Sequence, residues 1–254
     1  MRDTDEVIKF SKALLTISSK VILSHYRQEL EVESKSDLSP VTIADKNAEE
    51  KMRSFIMKNY PKDGILGEEH GWYQPEADYQ WILDPIDGTK TFISGVPLFG
   101  TLIALLFKQQ PKVGVMNLPI LNETLVGDSY KTLLNDRKVS MRKGRDLKKA
   151  TLLTTDPSQI EQFQDGEKFS QLIRKVNLYR TWGDCFGYYL LASGFADIMV
   201  DPIMHPWDSM AIIPIVKGAG GIVTDYQGND PVMGKSLVAA SPDLHSQVIS
   251  ILNN

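Results

Sequence analysis

Apolar residues recur every three or four positions near the start of the chain. The repeating positions are Val7, Phe10, Leu14, Ile17, Val21 and Ile22. This spacing places them on one face of a helix, so we predict an amphipathic helix over residues 4–29. The polar stretch 31–40 has no such period and ends in Ser39-Pro40, which favours a mobile loop. Thr42 and Asp45 then have the spacing of a capping box before a second helical pattern.

After Gly64 the pattern changes to short apolar runs separated by Gly, Pro and Asn, which is typical of successive strands. The runs are 65–66, 81–83, 101–107, 113–116 and 124–126. Further along, the pattern predicts strands at 151–155, 197–201 and 222–224 and helices at 159–176, 186–192 and 208–217. This alternation predicts an α/β fold. We expect one domain over residues 1–254, subdivided near residue 145 into halves 1–145 and 146–254.

Composition narrows the class of protein. The chain has 254 residues, of which 42% are hydrophobic and 24% charged, as in ordinary globular proteins. No window approaches the ~20 unbroken apolar residues of a membrane helix, and the acidic start is unlike a signal peptide, so we expect a cytoplasmic chain with no membrane partner. A single cysteine, Cys185, excludes an internal disulfide and a thiolate metal site. The net charge of −4 argues against nucleic-acid binding, and the basic segment 131–149 is expected to be a solvated face.

Three acidic motifs follow apolar runs or begin a helix. They are Gly67-Glu68-Glu69, Asp84-Pro85-Ile86-Asp87-Gly88-Thr89 and Trp207-Asp208. Acids that follow strands lie at the carboxyl edge of a sheet, where open α/β folds bind their ligands. If the carboxylates of these motifs meet in one cleft, their mutual repulsion requires a cation. Mg²⁺ is the natural candidate, because it prefers oxygen ligands.

The second motif offers more than charge. Pro85 is expected to interrupt the strand, so that the aspartates on either side of it turn to one side and the Ile86 carbonyl becomes a neutral oxygen ligand. Gly88 removes a side chain, and Thr89 lies in the first turn of a helix whose N–H groups can hold a phosphate.

Each candidate also has a structural alternative. The sequence Asp-Pro-x-Asp-Gly is often only a turn, and Asp45 or Asp184 can simply cap the helix that follows. Asp201 can do no more than end a strand. Glu68 and Glu69 would face opposite ways on a strand, so we select Glu68 as the ligand and leave Glu69 facing solvent or supporting the site.

Other conspicuous residues favour structural roles. Cys185 is expected to pack in the interior. The histidines show no metal-ligand spacing and are expected on the surface or in loops, with His70 close enough to Glu69 to line the cleft. The glycines at 218, 220 and 221 favour a helix C-cap over a nucleotide-binding loop.

The three acidic motifs in this order, with Gly220-Gly221 after them, resemble the inositol monophosphatase superfamily of Mg²⁺-dependent, lithium-sensitive phosphatases. The resemblance spans nearly the whole chain and implies a layered αβαβα sandwich, two to three Mg²⁺ ions and, by analogy with relatives, a homodimer. The segments 64–71, 88–107 and 183–185 resemble the histidinol-phosphate phosphatase branch. Inositol monophosphatases usually carry a hydrophobic or small residue in place of Asp184, and an added carboxylate there suits a cationic substrate better than an uncharged polyol.

The resemblance also implies a role for each site residue. The implied metal ligands are Glu68, Asp84, the Ile86 carbonyl, Asp87 and Asp208. Asp45 and Thr89, with Glu68, would activate a water held by the metal for in-line attack on phosphorus. The implied substrate contacts are Asp87, the N–H groups of Gly88 and Thr89, Gly183, Asp184, Asp201 and Asp208.

We therefore expect a Mg²⁺-dependent phosphomonoesterase that hydrolyses L-histidinol phosphate in histidine biosynthesis. The nearest alternative is an inositol-1-monophosphatase or a related phosphatase of small phosphomonoesters. A third alternative, from another class, is a non-catalytic RNA-regulatory protein that uses the basic segment 137–149 as its contact surface.

Overall fold

Two large β-sheets and three helical layers make up most of the fold, together with a two-stranded sheet of β1 and β2. The computed structural model describes residues 2–29, 32–34, 40–144 and 146–254. The first half contains α1 (Thr4–His25), β1 (Val32–Ser34), β2 (Pro40–Thr42), α2 (Ile43–Asn59), β3 (Gly64–Gly67), β4 (Gly71–Tyr73), β5 (Tyr79–Asp87), α3 (Thr89–Ile93), β6 (Gly100–Phe107), β7 (Gln110–Leu118), β8 (Glu123–Gly127), β9 (Thr132–Leu134) and β10 (Arg137–Val139). The second half contains β11 (Thr151–Leu153), α4 (Pro157–Phe163), α5 (Gly166–Lys175), β12 (Leu178–Arg180), α6 (Asp184–Ala192), β13 (Ile198–Asp201), α7 (Pro206–Ser209), α8 (Ile212–Gly218), β14 (Ile222–Thr224), β15 (Leu237–Ala240) and α9 (Pro242–Asn253).

The first two long helices each begin after a residue whose side chain caps the helix. Asp3 caps α1 by accepting hydrogen bonds of 3.0 Å from two N–H groups of the first turn. This helix ends at His25, four residues before the predicted end. The capping box of Thr42 and Asp45 is confirmed at the start of α2.

The larger sheet has the strand order β10-β9-β8-β7-β6-β5-β3-β4. All the predicted strands of the first half belong to it. Neighbouring strands pair antiparallel, except that β3 and β5 run parallel. The sequence did not predict β4, β9 and β10, which are three residues each and carry little apolar alternation.

The smaller sheet has the order β12-β11-β13-β15-β14 and lies wholly in the second half. The predicted helix over 159–176 is two helices, because Asp165 accepts a hydrogen bond of 3.1 Å from Lys168 N–H and starts α5 anew. The predicted helix over 208–217 is likewise divided into α7 and α8. The sequence did not predict β12, β15 and α9.

Helices cover both faces of each sheet, which confirms the layered αβαβα sandwich. Helices α1 and α2 pack on the outer face of the larger sheet, where Leu14 and Met52 meet Trp81. Helices α6 and α8 fill the space between the sheets. Helices α5 and α9 cover the outer face of the smaller sheet, where Leu172 and Leu244 are buried. The central core contains residues from both halves of the chain.

The predictions for the polar stretch 31–40 and for the basic segment 131–149 have different outcomes. The stretch 31–40, predicted as a loop, contains β1 and the first residue of β2, and these two strands pair antiparallel. Residues 30, 31 and 35–39 lie outside the described part of the chain. In the basic segment Lys131, Lys138 and Lys149 are exposed, as expected of a solvated face, and Arg145 is outside the described residues.

Among the described helices, none combines the length and apolar character needed to cross a bilayer.

Candidate active site

Three aspartates from two distant parts of the chain converge between the sheets. Asp84 and Asp87 end β5, and Asp208 lies in α7. One carboxylate oxygen from each lies within 4.8 Å of the others, a group of atoms that could hold a metal ion. Asp84 is buried, and its Oδ1 has no hydrogen-bond partner within the described residues. An all-oxygen set with an unpartnered buried carboxylate fits a hard divalent cation.

The two aspartates of β5 face one side because of a bulge. Between Asp84 and Asp87 the pairing with β6 shifts register, so that two residues of β5 oppose the single residue Thr101. The Thr101 hydroxyl donates to the Pro85 carbonyl at 2.8 Å. The expectation that Pro85 interrupts the strand is therefore wrong, since β5 continues through this irregularity to Asp87.

Glu68 joins this cluster because β3 and β5 run parallel. Gly67 pairs with Leu83, so the end of β3 lies beside the residue that precedes Asp84. The Glu68 N–H donates to the Leu83 carbonyl at 3.2 Å. The charge of Glu68 raises the pKa of both Asp84 and Asp208. Glu69 acts on a different residue, because its charge raises the pKa of Asp45.

Burial is the largest cause of the pKa shifts in the cluster. It raises the pKa of Asp84 and Asp87 well above the ordinary range, and neighbouring carboxylates raise both further. Burial raises the pKa of Asp208 to about 8, although the His205 N–H that donates to its carboxylate acts in the opposite direction. Without a cation, part of this cluster holds protons at neutral pH, and a bound cation would displace them.

Asp45 and Thr89 lie next to each other beside the cluster. The Thr89 hydroxyl lies 3.4 Å from Asp45 Oδ1 and 3.0 Å from the Ile86 carbonyl oxygen. Asp45 is fully buried at the start of α2, and burial raises its pKa to about 6. Gly88, with φ +91°, precedes α3 and turns the chain from the end of β5 into that short helix.

A model of the inositol monophosphatase family matches residues 3–254. The chain belongs to this family. This chain is therefore a phosphatase of the inositol monophosphatase family.

Similar proteins match nearly the whole length of this chain. It is 41% identical to "Bifunctional phosphatase IMPL2, chloroplastic" of Arabidopsis thaliana, over 98% of this chain and 76% of that protein. It is 38% identical to a histidinol-phosphatase of Chlorobaculum parvum, with 93% of each chain covered. The fold matches an inositol monophosphatase from Zymomonas mobilis with a TM-score of 0.88 and 34% identity over 100% of both chains.

Asp184 faces the family's acidic motifs from the second half of the chain. Its carboxylate raises the pKa of Asp87, and its Oδ2 lies 3.4 Å from the Thr91 hydroxyl. The backbone of Asp184 has φ +50°, which is uncommon for a residue other than glycine and marks a locally strained position. Its N–H donates to Thr155 Oγ1 at 2.9 Å. Burial raises the pKa of Asp184 to about 6.

Gly183 and Asp201 hold the chain around Asp184. A Cβ on Gly183 would lie 2.2 Å from the Thr155 Cα, so only glycine allows this approach to the end of β11. Asp201 is buried, and its two oxygens accept hydrogen bonds of 2.9 Å each from the Thr155 N–H and the Tyr188 hydroxyl. Its contacts are therefore with the protein framework next to the cluster, and its charge raises the pKa of Asp184.

Glu49 is a site residue that the sequence analysis missed. It lies in α2 four residues after Asp45, is fully buried, and accepts hydrogen bonds from the Glu69 and His70 N–H groups at 2.7 and 3.1 Å. The available signal was an acidic residue on the buried face of α2 with Arg53 four residues later.

Three further sequence predictions can be compared with the structure, and two of them are confirmed. Gly220 N–H donates to Lys217 O and Gly221 N–H to Val216 O, each at 2.9 Å, so the glycines form a Schellman cap as predicted. Cys185 is fully buried and packs in the central core, as predicted. The surface prediction is wrong for His245, which is buried in α9 with its Nε2 3.0 Å from the Thr224 hydroxyl oxygen.

Proposed function

We propose that this phosphatase is a Mg²⁺-dependent phosphomonoesterase that hydrolyses L-histidinol phosphate. The observation that carries the metal dependence is the convergence of three aspartates around an unpartnered Asp84 oxygen. The similarity to a histidinol-phosphatase over 93% of each chain supports the substrate.

Glu68, Asp84, the Ile86 carbonyl, Asp87 and Asp208 are the residues that would hold two to three Mg²⁺ ions. The ions would supply a water of lowered pKa and stabilise the charge that develops on the phosphate and leaving group.

Asp45 would receive a proton from the attacking water. Its raised pKa, about 6, suits a general base that works near neutral pH, and the Thr89 hydroxyl beside its Oδ1 would orient the transfer. The N–H groups of Gly88 and Thr89 would bind the phosphoryl oxygens. Because β5 ends at Asp87, this turn brings backbone donors next to the carboxylates.

Asp184 would bind the cationic part of the substrate. Histidinol carries an ammonium group, and a carboxylate pairs with it more strongly than with a hydroxyl of inositol. Gly183 would support this contact, and Asp201 would act by holding Thr155 and Tyr188 in place.

The test compares kcat/KM for histidinol phosphate and inositol 1-phosphate in the wild type and in Asp184→Asn. We expect wild type to prefer histidinol phosphate. The substitution should lower kcat/KM for that substrate by about 10–100-fold, as expected for losing a charged hydrogen bond, and change the inositol value little. Asp156→Asn is the control, since it removes a nearby half-buried charge and keeps a helix-capping side chain.

An inositol preference in the wild type would favour the second candidate, an inositol-1-monophosphatase, which the similarity to the Zymomonas mobilis structure supports. Equal losses on both substrates in Asp184→Asn would assign Asp184 a structural role. Phosphate release that survives exhaustive chelation would contradict the metal dependence. We also propose a cytoplasmic, lithium-sensitive homodimer, by analogy with the family, which light scattering and lithium inhibition would test.

A further inference from the structure

A buried ion pair on α2 binds the turn that carries Glu68. The Glu49 side chain is completely buried, and its Oε1 lies 3.3 Å from Arg53 Nη1. The same Arg53 nitrogen donates to the Gly71 carbonyl at 2.8 Å. The two side chains therefore contact the turn at both its start and its end.

Glu49 satisfies the turn's backbone rather than a ligand. Its Oε2 accepts from the Glu69 N–H at 2.7 Å, and its Oε1 accepts from the His70 N–H at 3.1 Å. A buried carboxylate is tolerated only where such donors and a counter-charge surround it. Gly67 permits this approach, because a Cβ there would lie 1.9 Å from Glu49 Oε1.

The arrangement connects two residues of the proposed chemistry through one rigid element. Asp45, Glu49 and Arg53 are spaced four residues apart and are all buried on the same face of α2. Asp45 faces Thr89, and Glu49 fixes the backbone that follows Glu68 directly. The distance between the Glu68 carboxylate and Asp45 is thus set by α2 and by the hydrogen bonds of Glu49.

We propose that Glu49 is a positioning residue that holds Glu68 where it can ligate the metal, with Arg53 as its counter-charge. This inference rests on the proposed function, because it assigns Glu68 to the metal. Partners that orient a ligand without touching the ion commonly change metal affinity by about 10–100-fold when they are replaced.

The test is calorimetric titration of the metal-free protein with Mg²⁺, for wild type, Glu49→Gln and Asp197→Asn. Asp197 is the matched control: it is also buried, accepts a 2.8 Å hydrogen bond from a backbone N–H, that of Thr151, and pairs with Arg142 at 3.3 Å. We expect Glu49→Gln to weaken Mg²⁺ binding by about 10–100-fold and Asp197→Asn to leave it within about twofold. At saturating Mg²⁺, the kcat of Glu49→Gln should be lowered less, relative to wild type, than its apparent Mg²⁺ affinity.

The other outcomes separate this inference from the proposed function. A Mg²⁺ affinity in Glu49→Gln equal to that of wild type, or lowered only as in Asp197→Asn, overturns the positioning role alone. A wild type that binds no Mg²⁺ overturns both. A wild type that binds Mg²⁺ without hydrolysing phosphomonoesters overturns the function, while the titrations still decide the role of Glu49. If Glu49→Gln does not fold, Glu49→Asp replaces it, because it keeps the charge beside Arg53 and withdraws the carboxylate from the Glu69 and His70 N–H groups; unchanged Mg²⁺ affinity there overturns the inference.

Discussion

Asp45 and Asp208 have the same position in two different helices. Each is the third helical residue, and each accepts a hydrogen bond at Oδ2 from the backbone N–H of the residue before the helix, Thr42 at 2.9 Å and His205 at 2.7 Å. The second oxygen of each carboxylate is left for the site. Capping and chemistry are therefore not alternatives for these residues, because the cap is what fixes the carboxylate.

The raised pKa of Asp208 predicts how pH and metal act on stability. Between the unfolded value of 3.8 and the folded value of about 8, the folded protein holds a proton that the unfolded chain has lost. The contribution of Asp208 to the stability of the metal-free protein therefore falls as pH rises through this window. Because a cation replaces that proton, we expect Mg²⁺ to raise Tm more at pH 8 than at pH 5.

Thermal unfolding in EDTA and in MgCl₂ at the two pH values measures this difference. The change in Tm that Mg²⁺ causes at each pH excludes the contribution of titrating groups remote from the metal. One such group is His245, whose pKa is lowered by burial. In Asp208→Asn the pH dependence of the Mg²⁺ effect should weaken. An equal Mg²⁺ effect at both pH values in the wild type would contradict the prediction.

The end of α8 allows a test of the fold that leaves the site untouched. Gly220 has φ +89°, and a Cβ there would meet no atom within 4 Å. Gly220→Ala therefore introduces backbone strain without a clash, and we expect it to lower the free energy of unfolding by about 1–2 kcal/mol. Urea denaturation measures this loss. Phosphatase activity should be unchanged, and an undiminished stability would contradict the assigned cap.

Elements with long or regular apolar patterns could be predicted, whereas strands of three or four residues could be predicted only in part: β11, β13 and β14 were predicted, and β12 and β15 were not. The runs of β5 and β6 stand out because their side chains are buried almost throughout. In contrast, β12 and β15 have three and four residues, which are too few for the period of apolar residues to distinguish a strand from a loop or a helix. The break between α4 and α5 depends on the cap at Asp165, which a continuous helical period conceals.

The residues of the site, too, could be predicted only where the sequence pattern marks them. Glu68, Asp84 and Asp87 are recognisable because they come just after the apolar runs of β3 and β5, and the parallel pairing of these strands then brings them together. Glu49 is not recognisable in this way, since its partners are backbone groups about twenty residues away. Its role depends on how α2 packs against the turn after β3.

The two halves of the molecule share both their core and their acidic cluster. Leu102 of the larger sheet and Met199 of the smaller belong to the same buried cluster between the sheets. Asp84 and Asp87 come from one half and Asp208 from the other. We therefore propose that the halves fold as one domain.

Calorimetric unfolding tests this cooperativity. We expect a single transition whose van't Hoff and calorimetric enthalpies agree, because neither half can keep the central core alone. Mg²⁺ should move that whole transition to higher temperature, since both halves contribute to its site. Two resolved transitions, of which Mg²⁺ moves only one, would contradict this expectation.

The capped aspartates also bear on which cation the site accepts. The His205 N–H occupies one lone pair of Asp208 Oδ2 and fixes the orientation of the carboxylate, which disfavours chelation of an ion through both oxygens. Ca²⁺ takes six to eight oxygen ligands and commonly uses bidentate carboxylates, whereas Mg²⁺ requires an octahedron at shorter distances. The hydrogen bond that starts α7 thus restricts the denticity of Asp208 and so favours the smaller of the two ions.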